Sequence, residues 1–163
     1  MAPRSDAATD AARILAATWS GVLPVDPVRV ARALGIDVLD APLSPDVSAA
    51  LVKEAGQDPS ILLNSIDSLN RQRFSCTHEI GHFVRRRDGL DEYEYVDYRN
   101  TFSSTGQDPE EVYANNFAAC LLMPEDHVKR LHREGLSDVQ MALRFDVSRE
   151  AMEYRLKNLG LAK

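Results

Sequence analysis

The chain has 163 residues, 44% of them hydrophobic and 27% charged, with 8 Gly and 8 Pro, which is enough for one ordinary globular domain around a single core. Its net charge of −6 argues against generic nucleic-acid binding, which needs a basic surface to neutralise phosphates. No apolar run approaches the roughly 20 residues needed to span a bilayer, and Met1–Asp10 lacks the apolar stretch of a secretory signal, so a soluble, cytoplasmic protein is expected.

In chain order, Thr9–Ser20 reads as a helix, with Ile14, Leu15 and Trp19 on one face. Pro27–Leu34 reads as a second, with Asp26 as its cap, Pro27 at its first position and Gly35 past its end. Ile36–Leu39, Val47–Lys53 and Ser60–Leu63 have strand character and are separated by Pro- and Gly-rich turns. A small three-stranded antiparallel sheet is expected. Ser68–Arg87 is a long helix. Asp88–Gly106, acidic and aromatic, reads as an irregular surface loop. Asp108–Leu122 is a helix with Asp108 as cap and Pro109 at its first position. Glu125–Glu134 follows Pro124, and Ser137–Phe145 with Ser148–Asn158 has a helix-turn-helix look. Arg149, Arg155 and Lys157 are read as the outward cations of that pair. Glu150 and Glu153 on the same helix count against direct DNA binding, which is not expected.

The long helix carries His78-Glu79-Ile80-Gly81-His82. Residues four apart project from one helix face, so two imidazoles so placed can share one ion. Glu79, one residue on, points beside that ion and suits a general base. His-Glu-x-x-His is the established pattern of metalloprotease helices. Chance would place it in on the order of one such chain in a hundred. Gly81 costs the helix about 1 kcal/mol relative to Ala, which predicts a close neighbour there, such as a strand, a substrate backbone or the face of the sheet. Arg71, Arg73 and Arg85–Arg87 flank the motif and read as a solvated helix end, with substrate steering as the alternative. The only cysteines, Cys76 and Cys120, both fall in predicted helices, so no disulfide framework is expected. Cys76 reads as core.

A hydrolytic zinc site needs a third protein donor and one open position. His127 and His132 lie among Lys129, Arg130 and Arg133 and read as surface residues. A carboxylate in the first turn of the 108–122 helix is the better donor, either Glu111 or Glu110. Glu111 leads because Ala114, Asn115 and Ala118 follow it on a small-residue face that permits close approach. Its competing use is as a capping-box partner of Asp108.

Two stretches, Arg71 to Phe83 and Glu111-Val112-Tyr113-Ala114-Asn115-Asn116-Phe117 through Pro124, resemble the motifs of the ImmA/IrrE-type metallopeptidases. Leu23–Pro27, Leu34-Gly35-Ile36, Val47–Ala50 and Phe145–Ser148 with Arg155-Leu156 are similar too, so the resemblance spans roughly residues 20–160. Ser75-Cys76-Thr77 departs from it, standing where Thr, an apolar residue and Ala are more usual. The resemblance implies a mostly helical, gluzincin-like minimal metalloprotease domain of α+β class. It would be organised as an N-terminal helix (1–21), a catalytic core (22–124) and a C-terminal helical subdomain (125–163). It implies His78, His82 and Glu111 as metal ligands and Glu79 as catalytic base. Zinc is the default ion, with manganese as the alternative. It also implies a regulatory endopeptidase that cuts a helix-turn-helix repressor or antitoxin encoded nearby, in a stress-response, mobile-element or toxin–antitoxin system. The alternative is a non-catalytic metal-containing toxin or anti-repressor that acts by binding its partner.

Overall fold

The computed structural model describes residues 6–87, 95–100 and 108–162, the segment 95–100 by its backbone. Among these are seven helices and one small sheet. The helices are α1 (Ala7–Thr18), α2 (Pro27–Ala33), α3 (Leu69–Arg87), α4 (Pro109–Leu122), α5 (Glu125–Arg133), α6 (Asp138–Phe145) and α7 (Arg149–Asn158). The strands are β1 (Asp37–Ala41), β2 (Val47–Lys53), β3 (Ser60–Asn64) and β4 (Tyr95–Asn100). This is the mostly helical α+β fold expected. No helix among the described residues is long and apolar enough to cross a membrane.

Local chemistry sets most helix starts. Side chains of Asp6, Asp26, Asp108, Ser137 and Ser148 each accept from a first-turn amide, satisfying donors that the helix itself cannot. Pro27 and Pro109 stand at positions where no amide hydrogen is needed.

The sheet differs from expectation. Its order is β1-β3-β2-β4, and β1 runs parallel to β3, while β2 is antiparallel to both β3 and β4. It is therefore mixed. The fourth strand comes from the stretch read as loop, whose residues 88–94 and 101–106 lie outside the described ones. The burial pattern explains the order. In β3, Ile61 and Leu63 are buried, so it takes the inner place. In β1, Asp37, Leu39 and Asp40 are exposed, which an edge tolerates and even favours. Placing β3 between β1 and β2 makes the 42–46 connection pass over the end of β3. Asn64 secures that crossing. It is fully buried, and its amide nitrogen donates to the carbonyls of Ser44 at 3.1 Å and Val47 at 2.8 Å.

Two apolar clusters result. One joins α1, α2, the sheet, α3 and α4. The other joins the end of α4 to α5, α6 and α7. Arg73 on α3 ties them. Its guanidinium donates to the carbonyls of Val25 at 2.8 Å and Asp146 at 3.0 Å and lies 3.3 Å from the Asp146 carboxylate. It is thus a structural cross-link and not part of a solvated helix end.

The helix-turn-helix-like pair, α6 and α7, is present, and of its expected outward cations Arg149 and Lys157 are exposed while Arg155 is not. Arg149 pairs with Asp138 and Glu153, each at 2.9 Å. Arg155 is only 8% exposed, so the reading of it as an outward cation is corrected. Its place on α7 turns it toward α4, where its Nε donates to the Met123 carbonyl at 3.0 Å.

Candidate metal centre

Helix α3 is unusual in being buried from Ser75 through His82 without a break. Cys76, Ile80 and Val84, at helical spacing, enter the first apolar cluster. His78 and His82, also four apart, lie on another face and meet α4. A helix buried all round is polar only where the polar groups have partners, and here α4 supplies them.

Close approach of the two helices depends on Gly81. A Cβ built there would lie 3.1 Å from Phe117 Cδ1 and 3.2 Å from both Phe117 Cβ and Ala114 Cα. The close neighbour expected at the glycine is therefore present, but it is a helix, α4, through Ala114 and Phe117, and not a strand or the sheet. Ala114 and Ala118 are fully buried in this seam. Glu111 lies one turn before Ala114 on the same helix, and Asn115 one turn after Glu111.

The geometry is compact. His78 Nε2 and His82 Nε2 are 3.1 Å apart. Glu111 Oε2 lies 3.2 Å from the first and Glu111 Oε1 lies 2.9 Å from the second. Donors spaced about 3.3 Å apart form one face of a tetrahedron around an ion at about 2.0–2.1 Å, so these distances fit a zinc-sized ion within a few tenths of an ångström. Asn115 adds to the fit. Its Oδ1 lies 2.9 Å from His78 Nδ1. An amide oxygen only accepts, so with an ion on Nε2 the His78 ring would carry its proton on Nδ1 and donate it to Asn115. Two imidazole nitrogens and a carboxylate that converge in this way form a donor set that a cation completes.

The electrostatics agree with a carboxylate held charged. The hydrogen bond from His78 is the largest influence lowering the Glu111 carboxyl below its ordinary value. Partial burial opposes it, and the His78 and His82 charges reinforce it. Glu79 is buried, 1% exposed, in the same stretch of α3. Cys76, fully buried on the core side, has its thiol pushed up to about 12 by burial and by the nearby Glu79 charge, as befits an inert core residue.

The structure thus brings together His78, His82 and Glu111, whose donor atoms all lie within 4.8 Å of one another. Glu110, the other candidate, turns away and lies 3.5 Å from Arg85. Glu111 does not close a capping box; Asp108 accepts from the Glu110 amide. His127 packs against Trp19, ring centroids 5.0 Å apart, and is not part of the cluster; neither is His132. Asn115 was legible only as a small residue of the seam. Its spacing of four from Glu111 was the available sign that it would face the same histidines.

A sequence model of the Peptidase_M78 family, described as the IrrE N-terminal-like domain, matches residues 31–157, well over half of the chain. No curated protein matches it.

Proposed function

The chain belongs to the Peptidase_M78 (IrrE N-terminal-like) family of metal-dependent peptidases, and on that basis we propose that it is a zinc-dependent endopeptidase of regulatory type. The observation that carries this reading is the convergence of His78, His82 and Glu111 beside the buried Glu79. The three converging side chains would hold the ion. Zinc is the natural choice for two imidazoles and one carboxylate, with manganese as the alternative. Once bound, it would polarise the scissile carbonyl and make an adjacent water acidic.

The chain's own residues then have separate tasks. Glu79 takes the proton from the attacking water and passes it to the leaving amine. Asn115 fixes the tautomer and orientation of the His78 ring. An extended substrate segment would add as a strand along an edge of the sheet. The substrate proposed, on the resemblance, is a helix-turn-helix repressor or antitoxin encoded nearby and met in the cytoplasm.

The test is a Glu79→Gln variant incubated with the neighbouring repressor and Zn²⁺. It should keep its metal and lose cleavage. Cleavage at the native rate would remove Glu79 from the mechanism. A wild-type protein that carries metal and retains the repressor uncut would support instead a toxin or anti-repressor acting by binding.

A further inference from the structure

Nine residues beyond Glu111 along α4, about 13 Å at 1.5 Å per residue, the same helix borders a second feature. A cavity of about 500 Å³ opens between α1, the end of α4 and the start of α5, within the usual size range of small-molecule sites. Its walls include Ala12, Leu15 and Trp19 from α1 and its C-terminal end, Cys120 from α4, His127 from α5 and Arg155 from α7.

Arg155 is the informative member. It is more than nine-tenths buried. Its Nε donates to the Met123 carbonyl at 3.0 Å, and its Nη1 reaches only the weakly accepting Cys120 Sγ at 3.6 Å. A guanidinium offers five N–H donors, and no carboxylate among the described residues lies within ion-pair distance of this one, although, after the Lys129 hydrogen bond, its charge helps to lower the Glu125 carboxyl on the same cavity. A buried cation in this state calls for a counter-ion. Helix α5 begins at Pro124 on the same cavity with no side-chain cap for its first amides, and Glu125 and Asp126 in its first turn complement its dipole.

The other groups narrow the anion. Glu125 and Asp126 also line the cavity, and Glu125 is held by Lys129. Two rim carboxylates repel a multiply charged guest but leave room for a single charge at Arg155. The rest of the wall is mostly apolar, with alanines, Leu15, Trp19 and Pro124 beside the polar Ser20 and His127, and it suits an apolar body. We propose that this cavity binds a small monocarboxylate with an apolar or aromatic body, its carboxylate on Arg155 and its body against α1 and Trp19. The site is separate from the metal cluster and stands whether or not the chain is a peptidase.

Trp19 is the only tryptophan in the chain, so its fluorescence reports on the cavity directly. The full chain, kept in chelator so that no metal takes up the probe, is titrated with octanoate and with phenylacetate. A saturable change with a midpoint below about 1 mM is expected. Phenylacetamide, the same body without the charge, should bind at least about tenfold more weakly. Ala12→Phe, made at an exposed position of α1, should block the cavity with Arg155 intact. Arg155→Gln should weaken octanoate binding by at least about tenfold. If that variant does not fold, Ala12→Phe and the amide comparison decide. No saturable change in folded wild-type protein, equal binding of acid and amide, or undiminished binding to Ala12→Phe would each overturn the proposal.

Discussion

Replacing Gly81 by Ala tests how the two helices of the candidate metal centre are held. In an ordinary helix this change stabilises by about 1 kcal/mol, because alanine loses less backbone entropy. Here the added methyl would meet Phe117 Cδ1 at 3.1 Å and Ala114 Cα at 3.2 Å. Carbon atoms rest comfortably at about 3.5–4.0 Å, so α4 must retreat by roughly 0.3–0.5 Å or more. Neither neighbour yields easily: Phe117 is fully buried, and the Ala114 atom is backbone. Overpacking of this kind costs about 1–3 kcal/mol. Set against the helix gain, a net loss of about 1 kcal/mol is expected. Because Glu111 and Asn115 ride on α4, the same retreat should loosen the donor set and weaken metal binding by about tenfold. Urea unfolding of the chelated protein measures the first effect, and competition with a chromophoric chelator measures the second. A variant that is more stable by the full helix propensity and binds metal as tightly as wild type would refute the argument that Gly81 exists to admit α4.

Asn115→Ala removes the acceptor that orients His78, and metal affinity should fall about 10–100-fold with little change in fold, as judged by circular dichroism. The depressed Glu111 carboxyl makes a prediction about acid. A carboxyl whose folded pKa lies below its ordinary value of 4.5 contributes stability that is present above that value and lost as pH falls through the folded one. In chelated protein, the stability advantage of wild type over Glu111→Gln should therefore hold at neutral pH and shrink below about pH 4.5. An advantage that grew on acidification would contradict the assigned direction.

The parts of this protein that depend on near neighbours in the chain were legible beforehand. Helical spacing alone put His78 and His82 on one face, since 3.6 residues per turn leaves residues four apart in register. The caps at Asp26, Asp108 and Ser148 followed from short side chains that satisfy amides one turn on. The choice between Glu110 and Glu111 was not local. Adjacent residues on a helix differ by about 100° in direction, and only the seat of α4 on α3, admitted by Gly81, turns Glu111 to the histidines and Glu110 to Arg85. The sheet order had the same dependence. Three of the four strand segments were recognisable and β4 was not, and the insertion of β3 between β1 and β2 rests on which strand could be buried and on Asn64 bonding the crossing loop from 17 to 20 residues away. Arg155 shows the limit most plainly. On the sequence it is one more charge near the end of a polar helix, whereas packing of α7 against α4 removes it from water and leaves it facing a cavity. Periodicity and capping act within a few residues and can be read from the chain. Helix rotation, strand order and the burial of a lone charge are settled by contacts between segments far apart in it, and only the tertiary structure contains those.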